Sequence, residues 1–583
     1  MNEILLNVKN LCVTFEKNSK QFSAVNNVNF DIEKGECLGI VGESGSGKSL
    51  TALSIMRLVA SNGNTSISGE INFNKQGATT NLMEEPLHSM YNWRGSNIGM
   101  VFQEPMSSLN PVLNCGNQIQ EAVKLHLQLS NAQARSRTLE LMNEVQIKNG
   151  ASVYTAYPHE LSGGQKQRIM IAMALAGNPE LLIADEPTTS LDVTVQREIL
   201  DLLLQLQMKQ KMSVLFITHD FGVLTKIADR ALVMKSGSIV EENSIVNLLN
   251  APTHAYTKAL INCRIPLSKR FKKLPTLLEN APASIVDNGI RTARLKQLYA
   301  QKPILSIENL SAQYARRNSL FSIQKEQISA LKNIHIDIYP GETFGIVGES
   351  GSGKSTLGKC IVGLIQDISG NIHFEGKTLA NLSPAELRNW RKDIQYVYQD
   401  PFAALNPKMS IGAAIMEPLE AHNILKTFAE RKEKALELLA KVGLQSDCFL
   451  RLPHEFSGGE RQRICIARAL ALNPKIVICD ESVSALDVSI QAQIINLLND
   501  LKIECRFSLI FISHDIQIVR YVSDRMLVLH NGEAEELKEA DALCNHPQKE
   551  YTQQLLAAVP KGTVEEYFET QQKKKSILTT YDN

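Results

Sequence analysis

Long apolar runs, an excess of either charge and clustered cysteines are all missing from this 583-residue sequence, and each absence closes off a class of explanation. No stretch reaches the roughly eighteen consecutive apolar residues of a membrane-spanning helix. The start, MNEILLNVKN, lacks the basic region and longer apolar stretch of a secretory signal, so a cytoplasmic chain is expected. Sixty-one basic residues balance sixty-one acidic ones, which removes the overall positive field of a nucleic-acid binder or a membrane-surface anchor. The most basic short run, Lys269 to Lys273, reads as a solvated stretch of connector. Ten cysteines are scattered without the close spacing of a zinc or iron–sulfur site, and are expected to be reduced thiols, mostly core. What is present is ordinary: 44% hydrophobic and 21% charged residues, in a length that suits roughly four domain-sized units.

The chain says nearly the same thing twice. GIVGESGSGKS at 39–49 returns at 345–355, LSGGQ at 161–165 is answered by FSGGE at 456–460, and FITHD at 216–220 by FISHD at 511–515. Gly163, Asp185 and His219 each recur 295 positions later, as Gly458, Asp480 and His514. Lys48 recurs 306 positions on as Lys354, so the first half holds about ten extra residues before Gln103, placed in the loop 61–90. Apolar residues stepping by three at Leu139, Met142, Val145 and at Leu436, Leu439, Val442 predict a helical segment in each half. The expected layout is a first nucleotide-binding domain over 1–263, a proline-punctuated linker over 264–303 containing Pro275, Pro282 and Pro303, a second domain over 304–560, and a loose tail over 561–583.

Cys37–Val41 and Thr343–Val347 read as buried strands, and each feeds Gly-x-x-x-x-Gly-Lys-Ser. Glycines let successive backbone amides face phosphates, the following helix N-terminus adds a positive end, Lys48 or Lys354 supplies a mobile cation, and Ser49 or Ser355 offers magnesium a hydroxyl. The phosphate-binding residues are therefore Gly42, Glu43, Ser44, Gly45, Ser46, Gly47, Lys48 and Ser49 in one half, and Gly348, Glu349, Ser350, Gly351, Ser352, Gly353, Lys354, Ser355 and Thr356 in the other. LLIADE at 181–186 and IVICDE at 476–481 are apolar strands ending in adjacent acids, which need a cation or hydrogen bonds to offset their desolvation. Asp185 and Asp480 are expected to hold hydrated magnesium, and Glu186 and Glu481 to polarise the water that attacks the γ-phosphate.

With those residues in place, both halves resemble the ATP-binding cassette family. The resemblance implies an α/β fold of two tandem P-loop cassettes, each a RecA-like core with an antiparallel β subdomain and an α-helical subdomain. It implies that the signature turns, Ser162, Gly163, Gly164 and Gln165, and Ser457, Gly458, Gly459 and Glu460, each reach the nucleotide held by the other half. By the same resemblance Gln103 and Gln399 sense the γ-phosphate, join the magnesium site and contact a membrane partner, and His219 and His514 hold the γ-phosphate. Phe15 and Tyr314, each five residues after an asparagine (Asn10 and Asn309), look like the aromatics that stack on adenine; a core aromatic is the alternative at both.

QEPMSSLNP at 103–111 and QDPFAALNP at 399–407 resemble the dipeptide, oligopeptide and nickel importer group of that family, as do THAYTKAL at 253–260 and HPQKEYTQQLLAAVP at 546–560. RICIARALALNP at 463–474 and DESVSALDVSI at 480–490 resemble its fused members, which makes glutathione an expected cargo beside other short peptides. The resemblance implies an ATPase using ATP and magnesium, without an iron–sulfur centre, at the cytoplasmic face of the inner membrane. Its partners would be two permease subunits and, through them, an extracytoplasmic solute-binding protein, with no nucleic acid. A nickel importer and a soluble twin-cassette ATPase acting on ribosomes are the alternatives; the short linker argues against the second. Glu460 for Gln, Phe456 for Leu and Ser482 for the proline found at Pro187 depart from the usual pattern.

Overall fold

A computed structural model describes residues 3–17, 20–59, 64–189, 191–263, 270–276, 285–317, 325–365, 367–484 and 486–581. Lys269 and Pro282 lie outside those residues, as do residues 60–63 of the first-half loop. The chain divides into two compact units: Met1–Leu191 with Val195–Asn262 and Pro560–Asn583, and Cys263–Val559 with Asp192–Thr194.

In the first unit a six-stranded sheet runs Ser238–Ser244, Arg230–Lys235, Cys37–Val41, Ser213–Thr218, Leu181–Asp185, Ile98–Val101. Only the edge strand Ser238–Ser244 pairs antiparallel; the other five are parallel, and Cys37–Val41, Leu181–Asp185 and Ser213–Thr218 are buried throughout. Burial on both faces explains why these strands read as unbroken apolar runs. A separate four-stranded antiparallel sheet has the order Lys20–Glu33, Ile4–Lys17, Thr65–Lys75, Ala78–Asn81. Helices Cys115–Leu127 and Asn131–Glu144 form the helical part, with Met142 and Val145 buried as their spacing predicts.

The second unit repeats this plan. Its six-stranded sheet runs Ile394–Val397, Ile476–Asp480, Ser508–Ser513, Thr343–Val347, Arg525–His530, Glu533–Glu539, and its four-stranded sheet runs Lys325–Ile338, Leu305–Arg317, Ile368–Phe374, Lys377–Thr378. In both units the phosphate-loop strand sits inside the parallel sheet with the acid-bearing strand two places away, so both strand ends open on the same sheet edge.

Two expectations need correction. The stretch after Pro560 is not loose: Val564–Tyr581 form an 18-residue helix belonging to the first unit. Its buried side chains are Glu566, Thr570 and Lys574, spaced by four on one face, so the stripe is polar and escapes a search for apolar periodicity. Glu566 accepts from Thr225 (2.9 Å) and pairs with Lys226 (2.6 Å), while Lys574 pairs with Asp229 (2.6 Å).

The described part of the connector is likewise tied down. Asn288–Tyr299 form a helix capped by Asp287, in which Arg291 pairs with Asp541 at 2.6 Å and Arg294 with Asp524. Of the basic run, Arg270 departs from the solvated reading, half-buried on the Ser523 carbonyl (3.1 Å), while Lys272 and Lys273 are exposed as expected, Lys273 pairing with Asp500 (2.7 Å). Each unit is thus closed by the segment that follows the other cassette in sequence.

Candidate functional site

The phosphate loops come first because their backbone is most constrained. Gly47 and Gly353 adopt φ of 101° and 104°, and a Cβ on either would stand 2.8 Å or 2.5 Å from the carbonyl oxygen of Ala24 or Ala330, so no other residue fits. The following helices begin at Lys48 and Lys354. Lys48 donates to the carbonyls of Gly42 and Glu43 at 2.7 and 2.8 Å, and Lys354 repeats both distances on Gly348 and Glu349. The hydroxyls of Ser46 and Ser352 are buried without a hydrogen-bond partner, in the same place in both loops. An orphaned hydroxyl inside a glycine-rich loop fits an anion ligand.

Ser49 donates to Asp185 at 3.0 Å and Ser355 to Asp480 at 2.9 Å. Each pair sets one hydroxyl oxygen beside a carboxylate, the hard oxygen donors a magnesium ion takes. Burial pushes the Asp185 carboxyl up to about 6, with the Ser49 hydrogen bond opposing and the neighbouring Glu186 charge adding to it. Asp480 is raised for the same leading reason, against hydrogen bonds from Tyr396 and Ser355.

Glu186 and Glu481 follow directly, with φ of 47° and 45°. A non-glycine residue held in the left-handed region costs on the order of 1 kcal/mol or more. Here the amides of Glu186 and Glu481 donate to Ile217 and Ile512 at 3.0 and 2.9 Å, which prolongs the strand pairing and turns each carboxylate toward the lysine. Lys48 lies 4.0 Å from Glu186, and Lys354 3.8 Å from Glu481. Gln103 donates to Glu186 at 3.1 Å and Gln399 to Glu481 at 2.8 Å. His219 and His514 stand 3.2 and 3.5 Å from the same carboxylates. Burial alone would raise Glu186, but the His219 hydrogen bond and charge, Lys48 and Thr189 together pull it down to about 2. Glu481 is lowered in the same balance, and His514 is raised because its bond to Glu481 outweighs burial. An ionised glutamate oriented by an amide and an imidazole can hold and polarise a water.

The signature turns are helix starts. Ser162 caps Gly163–Ala174 in a capping box with Gln165, and Ser457 caps Gly458–Leu470 in a capping box with Glu460. Glu460 accepts from the Ser457 amide at 2.9 Å, where Gln165 accepts from Ser162 at 3.0 Å, so the exchange preserves the turn. Gly164 and Gly459 are demanded by packing: a Cβ there would meet Val195 or Ile490 at 2.6 Å.

The expected adenine aromatics differ. Tyr314 is exposed, with its hydroxyl 3.4 Å from that of Thr356, beside the loop. Phe15 is half-buried against the core, and its cross-strand partner Phe22 is the exposed aromatic. Sequence reasoning missed Thr189, which donates to Glu186 at 2.9 Å, and Tyr396, which donates to Asp480 at 2.6 Å. Tyr256 and Tyr551 lie in the matching stretches 253–260 and 546–560, at the repeat spacing of 295, and sequence reasoning assigns them no site role.

The family model described as ABC transporter matches residues 25–189 and 331–484. The chain belongs to the ABC transporter family and carries two of its ATP-binding cassettes. The model for the oligopeptide/dipeptide transporter C-terminal region matches residues 240–289. Among relatives, the glutathione import ATP-binding protein GsiA of Pectobacterium atrosepticum is 45% identical over 561 residues, spanning 95% of this chain and 89% of that protein. Its namesake in Escherichia coli O157:H7 is 43% identical over 560 residues, with the same two coverages.

Proposed function

We propose that this chain is the ATP-hydrolysing subunit of a membrane importer for short peptides, with glutathione as its cargo. The observation that carries the reading is the twinned constellation of lysine, serine, aspartate, glutamate, glutamine and histidine, at nearly the same distances in both cassettes. The cargo rests on the likeness to the glutathione import proteins and on the peptide-transporter C-terminal match.

Lys48 and Lys354 hold the triphosphate, and the loop amides share its charge. Ser49 with Asp185, and Ser355 with Asp480, are the residues that would hold magnesium, with Gln103 and Gln399 assigned to the same site by family resemblance. Magnesium bound there supplies charge neutralisation on the phosphate oxygens. Glu186 and Glu481 orient the attacking water, and His219 and His514 steady each glutamate and reach the γ-phosphate. Each ATP is proposed to meet the loop of one cassette and the signature turn of the other, a pairing the duplicated motifs support.

No helix among the described residues is long and apolar enough to cross a membrane. The transport path therefore belongs to partner chains, two permease subunits fed by a solute-binding protein, with this chain at the cytoplasmic face. Labelled glutathione, a dipeptide and nickel offered to cells deleted for the gene test the cargo. Loss of glutathione uptake, restored by the wild-type chain, is expected; intact glutathione uptake with lost nickel uptake would overturn it. Two very hydrophobic subunits should co-purify in detergent, and ribosomal material in their place would overturn the importer.

A further inference from the structure

We propose that Tyr256 and Tyr551 are positioning residues of the two ATP sites: each phenol oxygen tethers a phosphate loop by accepting a hydrogen bond from the amide of its second residue. The Glu43 amide donates to the Tyr256 hydroxyl at 3.1 Å, and the Glu349 amide donates to the Tyr551 hydroxyl at 3.2 Å. The tether joins segments 213 and 202 residues apart in the two cassettes, so it is built twice, across loops of different length.

Each tyrosine is held from two sides. Lys235 lies 5.0 Å from the centroid of the Tyr256 ring, and His530, its equivalent 295 positions on, stacks on the Tyr551 ring at 3.8 Å and 10°. In each unit a buried glutamate on the sheet's edge strand fixes the start of the helix that carries the tyrosine, Ala255–Asn262 or Glu550–Ala558. Glu241 accepts from the amides of Thr253 (2.7 Å) and His254 (3.0 Å), and Glu536 from those of Gln548 (3.1 Å) and Lys549 (3.3 Å). These bonds, with Lys538 on Glu536, draw both carboxyls below their usual range against the effect of burial. Burial also pushes the Tyr551 phenol up to about 12, so it stays protonated.

The tether matters because the lysine has two jobs. Lys48 and Lys354 donate to the carbonyls of Gly42 and Glu43, and of Gly348 and Glu349, and a lysine drawn to phosphate weakens its hold on them. The peptide at Glu43 or Glu349 is then pinned from its amide side by tyrosine. The phenol uses an amide that precedes the curl, leaving the amides of the curl to the phosphates.

This inference rests on the loops being the ATP sites, and its test separates the two claims. Tyr256→Phe, Tyr551→Phe and the double variant of the full chain keep the ring and remove the hydroxyl. Steady-state ATP hydrolysis, equilibrium binding of a fluorescent ATP analogue and thermal unfolding without nucleotide are measured on each. The expected result is a KM and an analogue Kd raised about two- to tenfold, kcat within about twofold and an unchanged Tm, as loss of one net hydrogen bond in the bound state predicts. Unchanged KM and analogue affinity would overturn the tether, as would a lower Tm with kcat reduced and KM untouched. A wild-type chain that binds the analogue but never hydrolyses ATP, with Phe variants that bind it more weakly, would break the proposed function and support the tether.

Discussion

The two proposed ATP sites carry the same lysine, serine, aspartate, glutamate, glutamine and histidine, yet their hydroxyl donors are arranged differently. In the first site Thr189 donates to Glu186, the proposed catalytic acid, while the equivalent Ser484 turns to the backbone carbonyl of Glu481 at 2.9 Å. In the second site Tyr396 donates to Asp480, where the first has the apolar Met100 at the same strand position, paired with Ile183 as Tyr396 is with Ile478. One donor has in effect moved from the strand-end glutamate to the strand-end aspartate. The difference teaches that the duplicated cassettes share the groups proposed to touch nucleotide and differ in those that only adjust a carboxylate's basicity. The outer closures differ in the same spirit: Asp229 is met by Lys574 of the C-terminal helix, and Asp524 by Arg294 of the connector helix.

Deleting residues 561–583 breaks the comparison most strongly. It strips Asp229 of Lys574 and Lys226 of Glu566, leaves the Asp229 carboxylate with the Cys37 amide, and keeps the second unit's connector in place. Calorimetry should show the first unit's transition lowered, by about 2 kcal/mol or about 4–8 °C after allowing for the partial exposure of Asp229, with the second unit's transition unmoved. Equal shifts in both would show that the helix does not belong to one unit.

Tyr396→Met copies the first site into the second. Asp480, already raised by burial, loses a hydrogen bond to its charged form, so the magnesium concentration for half-maximal hydrolysis should rise about fivefold at that site. Measured with Glu186→Gln as background, an unchanged magnesium requirement would show that the phenol is idle.

Glu460→Gln should do least. The capping box survives the exchange, so hydrolysis is expected to stay within about twofold and stability within about 0.5 kcal/mol. A tenfold change would mean that the carboxylate meets something the glutamine does not.

The repeat made most of this legible. A strand of unbroken apolar residues before a glycine-rich loop, and another ending in paired acids, identify their own chemistry because the charges need a reason to be there. Thr189 and Tyr396 stayed hidden since a hydroxyl near a carboxylate has no sequence signature, and Tyr396 reaches Asp480 from a neighbouring strand 84 residues away. The C-terminal helix stayed hidden because its inward face is Glu566, Thr570 and Lys574, a composition that reads as solvated until partners appear. Phe15 and Tyr314 read alike from their spacing, yet Phe15 is half-buried against the core and Tyr314 is exposed, a difference that spacing does not carry.

The central claim is that both sites hydrolyse ATP, each through its own glutamate. It is tested most directly by ATP turnover of the purified chain carrying Glu186→Gln, Glu481→Gln, or both. Each single variant should lose at least about half of the rate, and the double variant roughly a hundredfold or more. Full turnover in either single variant would contradict the account, since one of the two sites would then be spectator rather than engine.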